Sequence, residues 1–430
     1  MIQVLVNNET PRVKYALSLV FRQVLHTEFE IITNLDQVNG FCINYSGNPA
    51  EGLLKIWPHP ILNEDEIPAY NPVVSSWNEL PVFFCSPDGF DIPFDVFAAS
   101  FWVTTRYEEY STSETDFMGR YKASASHAAR NGYLKKPVVN LWAAELKKLI
   151  LQKDSSVVFG EMDYRFVPTI DVDSMYKYKY KGFVRNTGGF FRDLFTGRFS
   201  NCSERLNVLL NRKRDPWDCL GEIEKIHIEN GMLPMYFILA AKRSKYDKNI
   251  PANSSQFAKN VLALQHNCRL GIHPSFAGHC DENAWKNEKK TLEGILRTPV
   301  YEARVHFLKL TFPDTYQKLL ELGIQFDFTM GYPETTGFRA GICSPFFFFD
   351  LTENRETELC VVPLGMMDVT LSKYMKMNTE EAKIAVAEIV KEIRQVEGVF
   401  VSLWHNESFG EDVDNAHTEN LYRYLLKVAK

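Results

Sequence analysis

From Phe166 to the C-terminus, short apolar runs typical of buried strands alternate with longer segments in which apolar residues recur at helical spacing. Strands joined by helices pair in parallel, because each helix carries the chain back to the end where the previous strand began. The candidate strands are FVPTIDVD, MYFIL, RLGIH, EARVHFL, IQFDFT, CVVPLG and VFVSLWH. This pattern predicts an α/β fold of about seven strands over residues 151–430, with functional side chains at the carboxyl ends of the strands.

The first 150 residues have a less regular pattern. An apolar run from Ile2 to Val6 predicts a strand, and Pro11 opens a stretch with helical periodicity. Further on, short apolar runs separated by Pro, Gly, Asn and Asp predict strands and turns. Because 430 residues exceed the usual size of one core, we expect a smaller α/β domain over residues 1–150 and a second domain over residues 151–430.

Composition limits the classes of partner and the compartment. The net charge of −6 argues against a nucleic-acid partner, since phosphate binding requires clustered Lys and Arg. The eight cysteines are scattered without a C-x-x-C pair, which favours reduced thiols. The opening MIQVLVNNETPR has no basic and apolar signal-peptide pattern, and no run of 18 apolar residues follows, so we expect a cytoplasmic protein.

Two carboxylates follow the first strand of the second part. Asp171 and Asp173 are two residues apart, so a strand directs both side chains to the same face. Two ionised carboxylates this close repel each other, and the pair therefore implies a bound cation, a shared proton or full solvation. The alternative is a solvated turn after a strand.

Three basic side chains occupy two further strand ends. His273 ends RLGIH directly before Pro274, where a neutral imidazole is well placed to bind a metal; the alternative is a hydrogen-bonded structural histidine. In EARVHFLKL, alternation places Arg304 and His306 on one face of the strand. That face either points into a site or is the polar side of an edge strand.

The last two candidate strand ends are also polar. IQFDFT carries Asp327 and continues into a Gly-rich loop with Glu334 and Arg339, which suits the rim of a substrate site. VFVSLWH ends at His405 and is followed by Asn406 and Glu407, a polar group that a strand does not need for packing. Five strand ends bearing Asp, His, Arg, Asp and His in order favour one shared functional site.

The segments TIDVDS, GIHPSF, ARVHFLKL, FDFTMGY and VSLWHNES resemble, in order and spacing, the five motifs of the polysaccharide deacetylases, the fourth carbohydrate esterase family. The resemblance covers about residues 160–430. It looks closest to a divergent branch of the family from bacterial surface-polysaccharide loci. Residues 1–150 resemble the N-terminal extension of that branch. It implies a distorted (β/α) barrel that holds one divalent metal ion, with zinc as the first candidate.

The resemblance also implies a role for each polar strand end. Asp173 and His273 correspond to metal ligands. The catalytic residues would be Asp171 as general base, Arg304 as the residue that orients it, His405 as general acid and Asp327 as the support of His405. The substrate would be a carbohydrate, from which an N-acetyl or other acyl group is removed.

This sequence departs from the family pattern at two positions. Val172 separates two Asp residues that are usually adjacent, so the base and ligand roles could be exchanged. Ala277 stands where the second motif usually has another His, which leaves the third ligand open. His306 is the first candidate, His279 the second and His405 the third.

Two other functions remain open from the sequence. A glycoside hydrolase would pair Asp171 or Asp173 with Glu334 or Glu407 across a glycosidic bond. A non-catalytic glycan-binding or scaffold protein would keep the barrel without its chemistry, and Ala277 supports that possibility.

One segment raises the question of membrane association. GFVRNTGGFFRDLFTGRF combines Phe, Leu and Arg and could rest on a membrane surface. The interpretation favoured by the sequence is a helix whose aromatic side chains pack against the barrel and whose Arg side chains are solvated.

Overall fold

The first part of the chain folds into a small parallel sheet covered by helices. The computed structural model describes residues 1–112, 114–410 and 416–430. The elements of the first part are β1 (Ile2–Val6), α1 (Pro11–Ser18), β2 (Phe29–Ile32), β3 (Cys42–Tyr45), β4 (Leu54–Lys55), β5 (Ser75–Trp77), β6 (Leu80–Val82), α2 (Val96–Thr104), α3 (His127–Arg130) and α4 (Val138–Lys153). Strands β2-β1-β3-β4 form one parallel sheet, and β5 and β6 form an antiparallel pair.

Helix α1 begins at Pro11, whose missing N–H costs nothing at the first helical position. The side chain of Thr10 caps the helix by accepting a hydrogen bond from the N–H of Val13. The predicted strand and helix at the start of the chain are therefore confirmed.

The second part of the chain forms a larger, mainly parallel sheet. Its elements are β7 (Arg165–Val172), α5 (Phe183–Phe195), α6 (Phe199–Leu209), α7 (Leu220–Glu229), β8 (Met235–Ile238), α8 (Ser255–Leu264), β9 (Arg269–Ile272), α9 (Ala284–Leu296), β10 (Glu302–Ala303), α10 (Asp314–Glu321), β11 (Phe326–Asp327), β12 (Phe346–Asp350), β13 (Arg355–Val361), β14 (Met366–Met367), α11 (Thr379–Gln395), β15 (Val399–His405) and α12 (Ala416–Ala429). The strand order is β12-β13-β11-β10-β9-β8-β7-β15-β14, and the pairing of β12 with β13 is antiparallel.

Each of the seven predicted strand segments overlaps a strand of this sheet, although CVVPLG covers only the last two residues of β13. The described sheet has nine strands rather than about seven, and its mixed α/β character with mainly parallel pairing is confirmed. The segment EARVHFL differs from expectation in length. Strand β10 ends at Ala303, and residues His306–Leu308 form a single 3-10 turn in which Phe307 has a φ of 63°. Arg304 and His306 therefore reach the site from a turn rather than from alternate positions of one strand.

The segment between β13 and β14 runs from one side of the sheet to the other. The N–H of Val362 donates to the carbonyl of Asp327 at the end of β11, and the N–H of Leu364 donates to the carbonyl of Met330. The N–H of Gly365 donates instead to the carbonyl of Val401 in β15. Residues 362–365 thus connect the β11 side of the sheet to the β15 side.

The two parts of the chain share one apolar core. Tyr15 of α1 packs against Phe349 of β12 with ring centroids 4.9 Å apart. Arg339, expected on a substrate rim, is instead buried and pairs with Glu109 of the first part, Nη2 to Oε2 at 2.5 Å. A buried ion pair of this kind fixes the two parts relative to each other, because separating them would leave the Arg339 charge without its carboxylate partner.

Among the described helices, none combines the length and the apolar character that crossing a bilayer requires.

Candidate metal and catalytic site

The polar ends of β7 and β15 lie side by side. These strands pair in parallel with Asp171 opposite His405. Asp173 follows β7 directly, and His273 follows β9 on the other side of β8. The carboxyl ends of parallel strands meet at one edge of the sheet, so the predicted residues of separate motifs come together there.

Asp173, His273 and His306 form a compact group of possible metal ligands. The Nε2 of His273 lies 3.1 Å from Asp173 Oδ1, and the Nε2 of His306 lies 3.3 Å from Asp173 Oδ2. One ligand atom from each of the three lies within 4.8 Å of the others. One carboxylate oxygen and two imidazole nitrogens are a donor set that zinc and related divalent ions bind.

The other nitrogen of each histidine is held by a fixed partner. His273 Nδ1 contacts the backbone carbonyl of Arg304, which requires the proton on Nδ1 and leaves the lone pair of Nε2 directed at Asp173. His306 Nδ1 lies 2.8 Å from Asp247 Oδ1. Asp247 is itself held by the N–H of Phe276 at 2.9 Å. Such outer partners set the orientation of metal-binding histidines.

Two polar atoms of the cluster are free to bind a cation. Asp173 Oδ1 and His273 Nε2 are buried and make no hydrogen bond among the described residues. Burial lowers the pKa of His306, but the Asp173 and Asp247 carboxylates outweigh it and raise that pKa to about 9. The group therefore attracts positive charge, and its geometry fits a small divalent ion as well as a proton.

Asp171 is held beside this group by a buried arginine. Arg304 Nη1 donates to Asp171 Oδ1 at 2.8 Å and to Thr169 Oγ1 at 2.6 Å, while Nε donates to the carbonyl of Phe328. Both Arg304 and Asp171 are buried. Asp171 Oδ2 lies 3.6 Å from His273 Nε2, so one oxygen of Asp171 is fixed and the other faces the candidate metal site.

The carboxylate that supports His405 is Asp368, and the expectation that Asp327 does so is wrong. Asp368 Oδ1 lies 2.8 Å from His405 Nδ1, and Oδ2 accepts from the backbone N–H of His405. Asp327 accepts instead from Tyr316 and from Thr329. The physical reason is strand order: β14, which Asp368 follows, is the neighbour of β15, whereas β11 lies five positions away.

Two groups next to the cluster have strongly altered pKa values. Burial lowers the pKa of His405, but Asp368 and Asp173 outweigh it and raise the value to about 10. Burial, followed by the charge of Asp173, raises the pKa of Glu407 to about 7. His405 thus holds a proton at neutral pH, and Glu407 can lose or accept one there.

A cavity of about 920 Å³ opens over the cluster, a size within the usual range for small-ligand sites. Its wall includes Arg120 from the first part of the chain, which sequence reasoning did not identify. Arg120 donates to the carbonyl of Phe307 and to the hydroxyl of Tyr374, both at 3.2 Å. Its only sequence signal is a charged residue in a turn, which is too common to be informative.

His279, the second candidate for the third ligand, lies elsewhere. Its ring packs on Trp285 with centroids 5.1 Å apart. Burial lowers its pKa to about 3, and Lys309 and Lys318 add to that shift. His405, the third candidate, has its Nε2 4.0 Å from Asp173 Oδ2, further than either His273 or His306.

Comparisons with known proteins give one family match. Residues 2–155 match the model of a family of unknown function, DUF7033. No curated protein matches the chain significantly. The chain is similar in structure to a Mycobacterium smegmatis protein assigned as a polysaccharide deacetylase, with 11% identity, coverage of 62% of this chain and 85% of that one, and a TM-score of 0.42.

Two further solved structures are similar at lower scores. A family 4 carbohydrate esterase from Streptomyces lividans has 9% identity, coverage of 62% and 88%, and a TM-score of 0.31. A pseudoenzyme of the same family from Bacillus anthracis has 9% identity, coverage of 60% and 61%, and a TM-score of 0.26. Identities and TM-scores this low indicate no activity for this chain.

Proposed function

We propose that the protein is a metal-dependent hydrolase that removes an N-acetyl or other acyl group from an amino sugar. The observation that carries this proposal is the group of Asp173, His273 and His306. Within it, Asp173 Oδ1 and His273 Nε2 are buried and make no hydrogen bond among the described residues. A carboxylate held by Arg304 and a protonated histidine flank that group. Metal-dependent hydrolysis of an amide uses these parts: a Lewis acid, a base for water and an acid for the leaving amine.

The ligands would be Asp173, His273 and His306, with zinc as the first candidate for the metal. A divalent ion there would polarise the amide carbonyl and lower the pKa of water. Asp171 acts as general base and takes a proton from the attacking water on its Oδ2. Arg304 occupies Oδ1 and so keeps Oδ2 directed at the site.

His405 acts as general acid. Asp368 holds its Nδ1, which leaves Nε2 and its proton facing the cavity. As the carbon–nitrogen bond breaks, the amine accepts this proton and leaves as a neutral group rather than as an anion. Positioned proton transfers of this type typically contribute about 10² to 10⁴ in rate.

We extend the proposal to the architecture. Residues 151–430 would form a distorted (β/α) barrel, which the hydrogen bonds of residues 362–365 to both sides of the sheet support. Residues 1–150 would form an N-terminal α/β domain that packs against the barrel, and its Arg120 completes the wall of the cavity.

The product of the reaction tests the proposal. Purified protein loaded with zinc would be incubated with N-acetylated amino-sugar oligomers, and both free acetate and new reducing ends would be measured. We expect acetate without new reducing ends, and we expect Asp171→Asn to stop its release. Acetate release that survives Asp171→Asn unchanged would contradict the assigned base.

A glycoside hydrolase is the second candidate, and one observation favours it. Glu407 has a pKa near 7 beside the carboxylate of Asp173, which is the pattern of an acid and an ionised partner across a glycosidic bond. New reducing ends that disappear in Glu407→Gln would support it.

The presence of His306 in the ligand group weakens the possibility of a non-catalytic protein. His306 supplies a third ligand in place of the histidine that Ala277 replaces.

A further inference from the structure

The hairpin formed by helices α5 and α6, residues 183–210, exposes an unusual amount of apolar surface. Ten of the 24 large hydrophobic side chains exposed among the described residues lie between Tyr180 and Leu210. Phe183 and Phe195 are 83% and 84% exposed. The expectation that these aromatic side chains pack against the sheet is therefore wrong. Contiguous exposed apolar patches mark interaction surfaces, whereas isolated apolar side chains do not.

In α5 the exposed apolar residues fall on one side of the helix. At 100° per residue, they lie within about 120° of one another. They are Phe183, Val184, Phe191, Leu194 and Phe195. The opposite side packs on α6: a Cβ on Gly189 would come within 2.7 Å of Arg205 Nη2, and Asp193 pairs with Arg205 at 2.7 Å. The apolar face of α5 thus has no partner among the described residues.

Helix α6 continues this surface. Phe199, Leu206 and Leu210 are exposed at spacings of seven and four residues, which places them on one side of the helix. Val208 is buried on the other side. The hairpin therefore exposes one apolar stripe on each helix, while the sides on which the two helices face each other are packed and hydrogen-bonded.

The same region has a charge opposite to that of the whole chain. Residues 176–214 contain ten Lys and Arg against two Asp and Glu, a formal charge of +8 in a chain whose total is −6. Arg198 and Arg212 are exposed. Arg192, Lys213 and Arg214 have side chains that are 67%, 40% and 48% exposed, and they form ion pairs with Asp193, Glu204 and Glu222. Basic residues around an apolar helical face are the composition of helices that lie in the interface of anionic membranes.

We propose that the α5–α6 hairpin docks on the anionic surface of a lipid bilayer. Its Phe and Leu side chains would enter the boundary between headgroups and acyl chains. Its Arg side chains, together with Lys and Arg of the flanking segments, would pair with lipid phosphates. A second copy of this chain fits less well, because a symmetric contact would oppose two segments of charge +8. This inference does not depend on the hydrolase activity.

Docking would also fix the position of the cavity. Ser200 and Asn201, at the start of α6, line the same cavity as His306 and His405. The hairpin is therefore continuous with the wall of the candidate site. A bilayer bound to the hairpin would hold the mouth of that cavity near the lipid surface, where glycans attached to lipids are located.

Vesicle co-sedimentation of the full chain tests the proposal. Vesicles of phosphatidylcholine alone would be compared with vesicles that also contain phosphatidylglycerol, at low and high salt. We expect binding to the anionic vesicles that weakens at high salt. Phe183→Ser combined with Phe195→Ser should reduce it about tenfold or more, because two large apolar groups no longer enter the interface. Arg198→Glu combined with Arg212→Glu should reduce binding to the anionic vesicles only.

The matched control is Val73→Ser combined with Val158→Ser, since these side chains are 84% and 79% exposed outside the hairpin. This control should bind as the unmodified protein does, and circular dichroism should show that all variants are folded. Three results would overturn the proposal: no binding of the unmodified protein to anionic vesicles, an equal loss in the control, or a dimer in sedimentation equilibrium that the Phe variants disperse without any vesicle binding.

Discussion

The candidate metal site and the α5–α6 hairpin both contribute to the wall of one cavity, but they differ in which side chains they bury and which they expose. At the site, three buried or half-buried ionisable groups each have a fixed partner: Asp171 has Arg304, His306 has Asp247, and His405 has Asp368. In the hairpin, apolar groups are exposed around well-paired inner contacts. One region is thus organised in advance for a small ligand, while the other exposes an apolar face that has no partner among the described residues. Substitutions in the two regions should therefore affect different measurements.

The largest expected effect comes from Asp173, the only candidate ligand that contacts both histidines. Asp173→Ala should abolish stoichiometric metal binding and lower turnover about 10³-fold or more, because the Lewis acid is lost. Elemental analysis and acetate release measure the two effects. Asp163→Ala, in the exposed segment before β7, is the control and should change neither.

Asp247 should have the next largest effect. Asp247→Asn keeps the size of the side chain but removes the charge that orients His306. Loss of such an outer partner typically lowers metal affinity about 10- to 100-fold. Competition with a chromophoric chelator measures this change. An unchanged metal affinity would show that the Asp247 contact does not orient His306 for metal binding.

Asp368 should shift the pH dependence of the reaction. His405 must hold a proton to act as general acid, so activity is lost as pH rises through its pKa. Asp368 is the main group that raises this pKa above its usual value. Asp368→Asn should lower it and move the alkaline limb of the kcat profile to lower pH. A limb that stays in place would assign that ionisation to another group.

The smallest expected effect on catalysis comes from the hairpin. Phe183→Ser with Phe195→Ser should leave the activity on water-soluble amino-sugar oligomers unchanged, since neither side chain lines the cavity. The thermal unfolding midpoint should also change little, because exposed side chains contribute about 0.5 kcal/mol or less to stability. A large loss of activity would mean that the hairpin belongs to the catalytic site rather than to a docking surface.

The parts of the site that the sequence predicted have a common physical signal. Asp171, His273 and His405 each follow a short apolar run, and such a change marks the end of a buried strand. Parallel pairing then places those ends together. His306 was also predicted, although it reaches the cluster through a turn after the two-residue strand β10.

The outer partners could not be predicted in the same way. Asp247 lies in a polar loop, where a carboxylate is common and does not indicate a functional role. Asp368 follows a strand of only two residues, which is too short to predict from the sequence. Asp327 was assigned to His405 because the assignment followed motif order, which does not give the spatial order of the strands. The exposure of Phe183 and Phe195 escaped prediction for a different reason: amphipathic spacing is the same whether a helix faces a core or a membrane.

Metal content after exhaustive dialysis and reloading with zinc is the most direct test of the central claim. We expect close to one ion per chain for the unmodified protein and for Asp171→Asn, and a large loss for His306→Ala and Asp173→Ala. Full metal occupancy in both ligand variants, or no binding by the unmodified protein, would contradict it.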